Sequence, residues 1–236
     1  MPCALIRRAR RVPRKKVFGL LGLGDTAAAG ALLRAQGPHL DVSDRGLMEA
    51  SLAAVHHDHR GTITATRAAH VGLSAPDGTT GGTNQAVYAT IAVVSRIAGD
   101  RVAARAAADT AVTLGDSIVR LARRRVGDPF GIAALADGYA AVALAAAGDS
   151  ARAVTRIETS ARVFNRQRDG SDAPSMNRLL AMVYMLVGRP HDAVAQLRIS
   201  LGMPQMVGRT ELRMSLLWDP LRADPEFKAL LASFPR

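Results

Sequence analysis

A run of histidines with one aspartate is the part of the sequence most suggestive of chemistry. His56, His57, Asp58 and His59 are contiguous, and His70 follows them. Imidazole nitrogens bind zinc, and a carboxylate can orient a ligating ring. On a helix, His56 and His59 would share a face, but adjacent residues point apart. Because no second ligand motif occurs elsewhere, we predict a polar helix end and no metal site.

A glycine pattern, G-x-G-x-x-A over residues 22–27, follows the apolar residues 17–21. After a strand, such glycines let the backbone reach a dinucleotide pyrophosphate at a helix N-terminus, and Asp41 would then bind the ribose. The segment 36–40 is a poor second strand, and no alternation of strands and helices follows. We therefore predict a turn between two helices and no cofactor, with a dinucleotide-binding oxidoreductase fragment as an alternative.

Nucleophilic catalysis also lacks a motif. Ser74, Ser117 and Ser175 stand outside any G-x-S-x-G elbow, and no phosphate-binding Gly-x4-Gly-Lys-Ser/Thr loop occurs. The single cysteine, Cys3, excludes an intramolecular disulfide and a thiolate zinc site, and is consistent with a reducing compartment. These patterns predict a protein that is not an enzyme.

The net charge of +11 is concentrated at the N-terminus. Seven cations lie in residues 7–16, and no acid precedes Asp25. A second basic run, Arg123 to Arg125, follows Arg120 at a predicted helix end, where cations favour the helix dipole. The N-terminal run suits a nucleic acid or an anionic membrane surface, and the second run suits a phosphate or a nucleic acid. We expect a disordered tail and a solvated helix end, and keep nucleic-acid binding as an alternative.

The elements that hold these residues are predicted to be helices joined by glycine turns. Ala and Leu dominate the apolar residues and favour helix. Gly24, Gly99, Gly148 and Gly188 each have Ala five residues later, and Gly61 with Thr66 is a weaker copy. The successive spacings are 37, 38, 49 and 40 residues. Glycine ends one helix in a left-handed conformation, and the Asp that follows three of the four strong glycines can cap the next.

Seven residues before the glycine, a small residue recurs in four copies at Ala54, Ala92, Ala141 and Ala181, with Val17 in the first. Together with the Gly-Asp turn and the later Ala, this pattern resembles the tetratricopeptide repeat over about residues 10–203. Tyr184 stands at the aromatic position of that family. The spacings exceed its period of about 34 residues, and its Trp and Pro are missing or out of register.

This resemblance implies an all-α superhelix of about five hairpins, closed by a C-terminal capping helix. It also implies a protein or peptide partner in a groove lined by the first helix of each hairpin. By register, the groove candidates are Arg96, Arg178, Met182 and Met185. Packing between repeats for the methionines, and solvent exposure for the arginines, is the competing interpretation.

The expected organisation has five parts. They are a basic tail (1–16), weak hairpins (17–73), a linker (74–84), stronger repeats (85–203) and a capping segment (204–236). In the last part, Asp224, Pro225 and Glu226 suit the start of a helix, and Phe227, Leu230 and Leu231 suit its apolar face. Similar tails follow such repeats in bacterial serine/threonine kinases, nucleotide cyclases and winged-helix regulators, so a regulatory role in signalling is implied.

The sequence contains no run of 18 apolar residues, so we predict no membrane span. The basic start followed by the apolar residues 17–24 has the outline of a secretory signal. Asp25 ends that run and no small-x-small cleavage site follows, so we expect a cytoplasmic protein.

Overall fold

The computed structural model describes residues 16–69, 79–124, 131–166, 173–202 and 209–233. These residues form helices and turns and no strand, which confirms the all-α prediction for them. Some of the predicted features lie outside the described part of the chain. They are the basic residues 7–15, the linker residues 74–78, Cys3, His70, Ser74 and Arg125.

Twelve α-helices are described. In chain order they are α1 (16–22), α2 (Thr26–Gln36), α3 (Val42–Val55), α4 (His59–Ala68), α5 (Thr79–Ile97), α6 (Arg101–Arg124), α7 (Ile132–Ala147), α8 (Ser150–Arg166), α9 (Ala173–Leu186), α10 (Pro190–Leu201), α11 (Arg209–Met214) and α12 (Pro225–Ala232). Short 3-10 helices cover Gly37–His39 and Leu216–Leu221.

The turn between α7 and α8 shows why these helices pair. Gly148 has φ +92°, a left-handed conformation that glycine adopts at little cost. The amide of Asp149 donates to the carbonyl of Leu144 at 2.9 Å, and that of Gly148 donates to Ala145 at 3.1 Å. This pair of bonds satisfies carbonyls at the end of α7. The Asp149 carboxylate then accepts from the Arg152 amide and caps α8.

The same backbone bonds recur at every helix pair that the described residues contain. The left-handed residue is Gly24, His57, Gly99, Gly148 or Gly188. Aspartate follows and caps the second helix in four of these turns, whereas Arg189 in the fifth makes no side-chain cap. The prediction of glycine turns is therefore confirmed at all four strong copies.

The weaker copy predicted at Gly61 is wrong. Gly61 lies inside α4, where its amide is capped by Asp58 at 2.8 Å. The turn lies at His57, which has φ +55°. A histidine thus occupies the position that glycine fills elsewhere, 33 residues after Gly24. The search for glycines missed it because the left-handed residue here carries a side chain.

Small residues bring the two helices of each pair close together. The residues five positions after each turn are at most 2% exposed: Ala29, Thr62, Ala104, Ala153 and Ala193. The residues seven positions before it are at most 8% exposed: Val17, Ala50, Ala92, Ala141 and Ala181. Correcting the second turn therefore replaces Ala54 by Ala50 in this register.

The described residues divide into two compact units, and the first contains residues 16–69 and 209–216. Its hairpins are α1–α2 and α3–α4, and α11 packs against α3. Val17, Leu21, Ala29, Leu33 and Met48 form its apolar core. The hydroxyl of Thr210 donates to the carbonyl of Gly22, which ties α11 to the end of α1.

The second unit contains the described residues from 79 to 202 together with 217–233. Its hairpins are α5–α6, α7–α8 and α9–α10, and α7 packs against α5, α6, α8 and α9. This central helix is buried on almost every side, which its alanines permit: Ala134, Ala136, Ala140, Ala141, Ala143, Ala145 and Ala146. Each hairpin therefore packs on the next one along the chain.

Two segment boundaries differ from those predicted. Helix α5 begins at Thr79, so residues 79–84 of the predicted linker are helical. Asn84 and Gln85 are completely or almost completely buried there, and tertiary packing of this kind stabilises a helix that glycines would otherwise weaken. The predicted cap, 204–236, is divided between the units, with 209–216 in the first and 217–233 in the second.

The predicted capping helix is present as α12. Asp224 accepts a hydrogen bond from the Phe227 amide at 3.0 Å, and Pro225 is the first helical residue. Phe227 and Leu230 are buried, and α12 packs against α10. The apolar face that the sequence indicated is therefore the face that contacts the last hairpin.

Candidate binding surface

Three of the four predicted groove residues lie on one face of α9. Arg178, Met182 and Met185 are four and three positions apart, so their side chains follow one another along the helix. Met182 is 4% and Met185 5% exposed, whereas Arg178 is half-buried. Burial of both methionines favours the packing interpretation for them. Arg96, the fourth candidate, is half-buried in the last turn of α5.

The Arg178 side chain connects this face to the C-terminal segment. Its guanidinium carbon lies 5.9 Å from the centre of the Trp218 ring, a cation–π distance. Its Nη1 atom is 3.5 Å from the sulfur of Met182. Trp218 itself is completely buried. Trp218 therefore lies at one end of this face of α9, where it contacts Arg178, a residue that the sequence predicted to line the groove.

The pairing with Trp218 was not predicted, although the sequence held a signal. Trp218 is the single tryptophan of the chain and follows the apolar residues Leu216 and Leu217. A lone tryptophan in a sequence with 4% aromatic residues indicates a specific packing site. Its neighbour on α9 depends on how the helices pack, which residue spacing does not specify.

A polar cluster links the hairpins α5–α6 and α7–α8. Arg156 of α8 donates to the carboxylate of Asp137 on α7 at 2.8 Å and to that of Asp116 on α6 at 2.6 Å. The Arg156 side chain is 20% exposed. Burial lowers the pKa of its guanidinium, but the hydrogen bond to Asp116 and the charge of Asp137 outweigh this and raise the pKa. Arg156 is therefore permanently charged.

An open cleft of about 460 Å³ lies beside Arg156. The walls come from α7 and α8 and combine apolar residues with hydroxyls. They include Asp137, Leu144, Ala151, Arg152, Thr155, Arg156, Thr159 and Ser160. Because Arg156 is bonded to two carboxylates, it acts as a clamp between helices and has little remaining capacity to bind an anion.

A second polar cluster links α8 to the hairpin α9–α10. The Tyr184 hydroxyl donates to Glu158 at 3.2 Å, and the Arg189 guanidinium lies 4.4 Å from the centre of the Tyr184 ring. Arg189 also donates to Asp192 at 2.6 Å. Burial, followed by the charge of Glu158, raises the pKa of the Tyr184 phenol. Tyr184, predicted as the repeat's aromatic residue, thus joins successive hairpins.

The histidine cluster and the glycine pattern, which the sequence offered as candidate metal and cofactor sites, belong to turns, caps and helices. His56 and His57 form the turn after α3, and Asp58 uses its carboxylate to cap α4. No group of three or more potential metal ligands is found among the residues that the structure describes. Residues 16–22 are helical, so the strand required by the dinucleotide-binding alternative is absent there.

The remaining described candidates bond within their own helix or are exposed. Ser117 donates to the Thr113 carbonyl of its own helix at 3.0 Å, and Ser175 is exposed near the start of α9. Arg120 donates to Ser117 at 2.9 Å, and Arg123 is exposed at the end of α6.

Within the described part of the chain, no helix has the length and apolar character needed to span a membrane.

A comparison of the chain with protein-family models, curated proteins and solved structures finds no match.

Proposed function

We propose that this chain is a non-catalytic protein-interaction module of the tetratricopeptide type. In this proposal the hairpins of each unit stack in a superhelical arrangement and offer their first helices to a peptide or protein partner. The role would be that of a regulatory scaffold in cytoplasmic signalling in bacteria. The supporting observation is the recurrence of one turn and one small-residue register in all five described hairpins.

Packing in series gives the proposal its physical basis. In the second unit α7 contacts α5 before it and α9 after it, so the first helices of three hairpins are neighbours. Repeats that contact only their neighbours form extended surfaces along the stack. A surface built on paired helices is preformed, so little ordering cost opposes binding on the protein's side.

Arg96 is the residue through which this proposal is tested. It lies on a first helix and is half-buried. An arginine at this position would pair with a carboxylate of the partner through charge-assisted hydrogen bonds. Arg105 supplies a matched control, because it is exposed on the second helix of the same hairpin.

The test compares the immobilised wild-type chain with the Arg96→Glu and Arg105→Glu variants as baits for proteins from a bacterial extract. We expect proteins retained by the wild type to be lost from Arg96→Glu and kept by Arg105→Glu, with circular dichroism showing equal helix content. Retention of nothing above bare resin by the wild type would contradict the binding function. Equal retention of proteins by all three baits would contradict the proposal that the binding surface lies on the first helices.

A further inference from the structure

The C-terminal segment places its one tryptophan against a residue of the proposed partner surface. Arg178, Met182 and Met185 form one face of α9, and Trp218 lies over Arg178 at 5.9 Å. Trp218 is 0% exposed, and Leu221 and Phe227, which follow it, are 1% and 0% exposed. A buried tryptophan removes about 150–250 Å² from solvent. This segment therefore supplies a large aromatic anchor to a unit whose central helix is built mostly from alanine.

The geometry at Arg178 resembles that of an interface hot spot. Tryptophan and arginine are the side chains that most often dominate binding energy at protein interfaces, and they do so in desolvated positions. The Arg178 guanidinium contacts both the Trp218 ring and the Met182 sulfur. Methionine is flexible and polarizable, which suits a surface that accepts an aromatic group.

The ion pairs that Glu226 of this segment makes with α10 are weak by comparison. His191 and Arg198 of α10 lie 2.8 Å and 4.0 Å from the Glu226 carboxylate. The side chains of all three residues are 40–76% exposed, and exposed ion pairs contribute little stability. Burial of Trp218 and Phe227, both 0% exposed, therefore contributes more to holding the segment than these exposed ion pairs do.

We propose that the surface of α9 around Arg178 is a receptor for a tryptophan-bearing segment, and that Trp218 occupies it within the chain. A partner would carry an aromatic anchor flanked by apolar residues and would displace the chain's own Trp218. This proposal rests on the proposed function, whose partner chemistry it specifies. The linked segment has a high effective concentration, so it keeps the face closed to weaker competitors.

The single tryptophan makes a direct test possible. The Trp218→Ala variant has no indole, so a synthetic peptide of residues 214–224 supplies the only tryptophan signal in the mixture. We expect a saturable blue shift of its emission on binding to this variant. A dye-labelled form of the peptide should bind the wild type about tenfold more weakly or worse, because the face is occupied.

Two controls define the site. The same peptide with its Trp replaced by Ala should fail to compete, and the double variant Arg178→Ala/Trp218→Ala should bind the peptide more weakly than Trp218→Ala. If Trp218→Ala keeps its helical circular dichroism but gives no saturable shift, the proposal is overturned. Equal affinity for the wild type and Trp218→Ala would overturn it as well.

If Trp218→Ala does not fold, the wild type provides the second measurement. Acrylamide quenching of Trp218 is followed through a urea titration together with far-UV circular dichroism. A releasable segment requires Trp218 to become accessible at lower urea than that at which helix is lost, and coincident transitions would overturn the proposal. The retention experiment with Arg96→Glu is independent, so a failure here leaves the proposed binding function standing.

Discussion

The guanidinium of Arg156 lies 2.6 Å from the carboxylate of Asp116, although the two residues belong to successive hairpins. The same guanidinium also contacts Asp137, whose side chain is 22% exposed. One arginine therefore bridges two carboxylates and offsets part of their mutual repulsion. These contacts join α6, α7 and α8 at one point.

Replacing Arg156 by Met should lower the free energy of unfolding by about 2 kcal/mol, because hydrogen bonds to charged groups are lost and a half-buried carboxylate is left without a counter-charge. Urea titration followed by circular dichroism measures this. The matched control is Arg152→Met on the same helix, whose side chain is 68% exposed and pairs with Asp149. Arg152→Met should lower the free energy of unfolding by less than about 1 kcal/mol. An equal loss in the two variants would contradict the role of Arg156 in joining the helices.

The turn at His57 should be improved by glycine. The left-handed conformation at φ +55° costs free energy for a residue with a Cβ atom, because that atom approaches the following carbonyl oxygen, whereas glycine adopts it at little cost. His57→Gly should raise the free energy of unfolding by about 0.5–1 kcal/mol. The reverse change, Gly148→Ala, should lower it by a similar amount, since a Cβ there meets no atom within 4 Å and only backbone strain is added. Thermal unfolding of both variants checks the opposite signs.

Gly46 is predicted to be irreplaceable where α3 crosses α4. A Cβ at this position would lie 2.6 Å from the backbone nitrogen of Ala69 and 2.8 Å from the carbonyl oxygen of Ala65. Backbone atoms in a helix cannot move aside, so Gly46→Ala should destabilise the first unit by about 2–3 kcal/mol. Gly30→Ala is the control. Its Cβ would meet side-chain atoms at 3.4 Å or more, so helix propensity should make this change neutral or stabilising.

The pair between His191 and Glu226 predicts a pH dependence. The hydrogen bond that His191 donates to the Glu226 carboxylate, and then the charge of Glu226, raise the pKa of His191 above the ordinary value of 6.5. A raised pKa means that the folded form binds the proton more tightly, so the contribution is complete below pH 6.5 and is lost as pH rises through the folded pKa. An NMR titration of His191 should show a midpoint above 6.5 that falls in Glu226→Gln. An unchanged midpoint in that variant would contradict the pairing.

The sequence predicted much of the fold, because the features it relied on are local. A left-handed glycine, an aspartate cap and a small residue five positions later act within two helical turns, and all four strong copies are present. Asp224 and Pro225 start a helix for the same reason. The second turn was placed four residues late, because His57 adopts a conformation that residue type alone does not favour.

The candidate surface was predictable only in part. Register placed Arg178, Met182 and Met185 on one face of α9, which follows from helical spacing alone. Whether that face is open depends on which element packs on it, and burial of both methionines could not be obtained from spacing. Helix α5 likewise starts at Thr79, because packing around Asn84 and Gln85 overrides the weak helix propensity of the residues before them.

The amino-acid sequence by itself determined the helical class, the hairpin turns at Gly24, Gly99, Gly148 and Gly188, and the capping helix, since each depends on interactions between residues close in the chain. Tertiary structure decided the contacts between distant residues. It paired Arg156 with Asp116 and set Trp218 over Arg178. The physical reason is that a side chain's partner across helices is chosen by helix packing, in which one residue meets another 40 positions away.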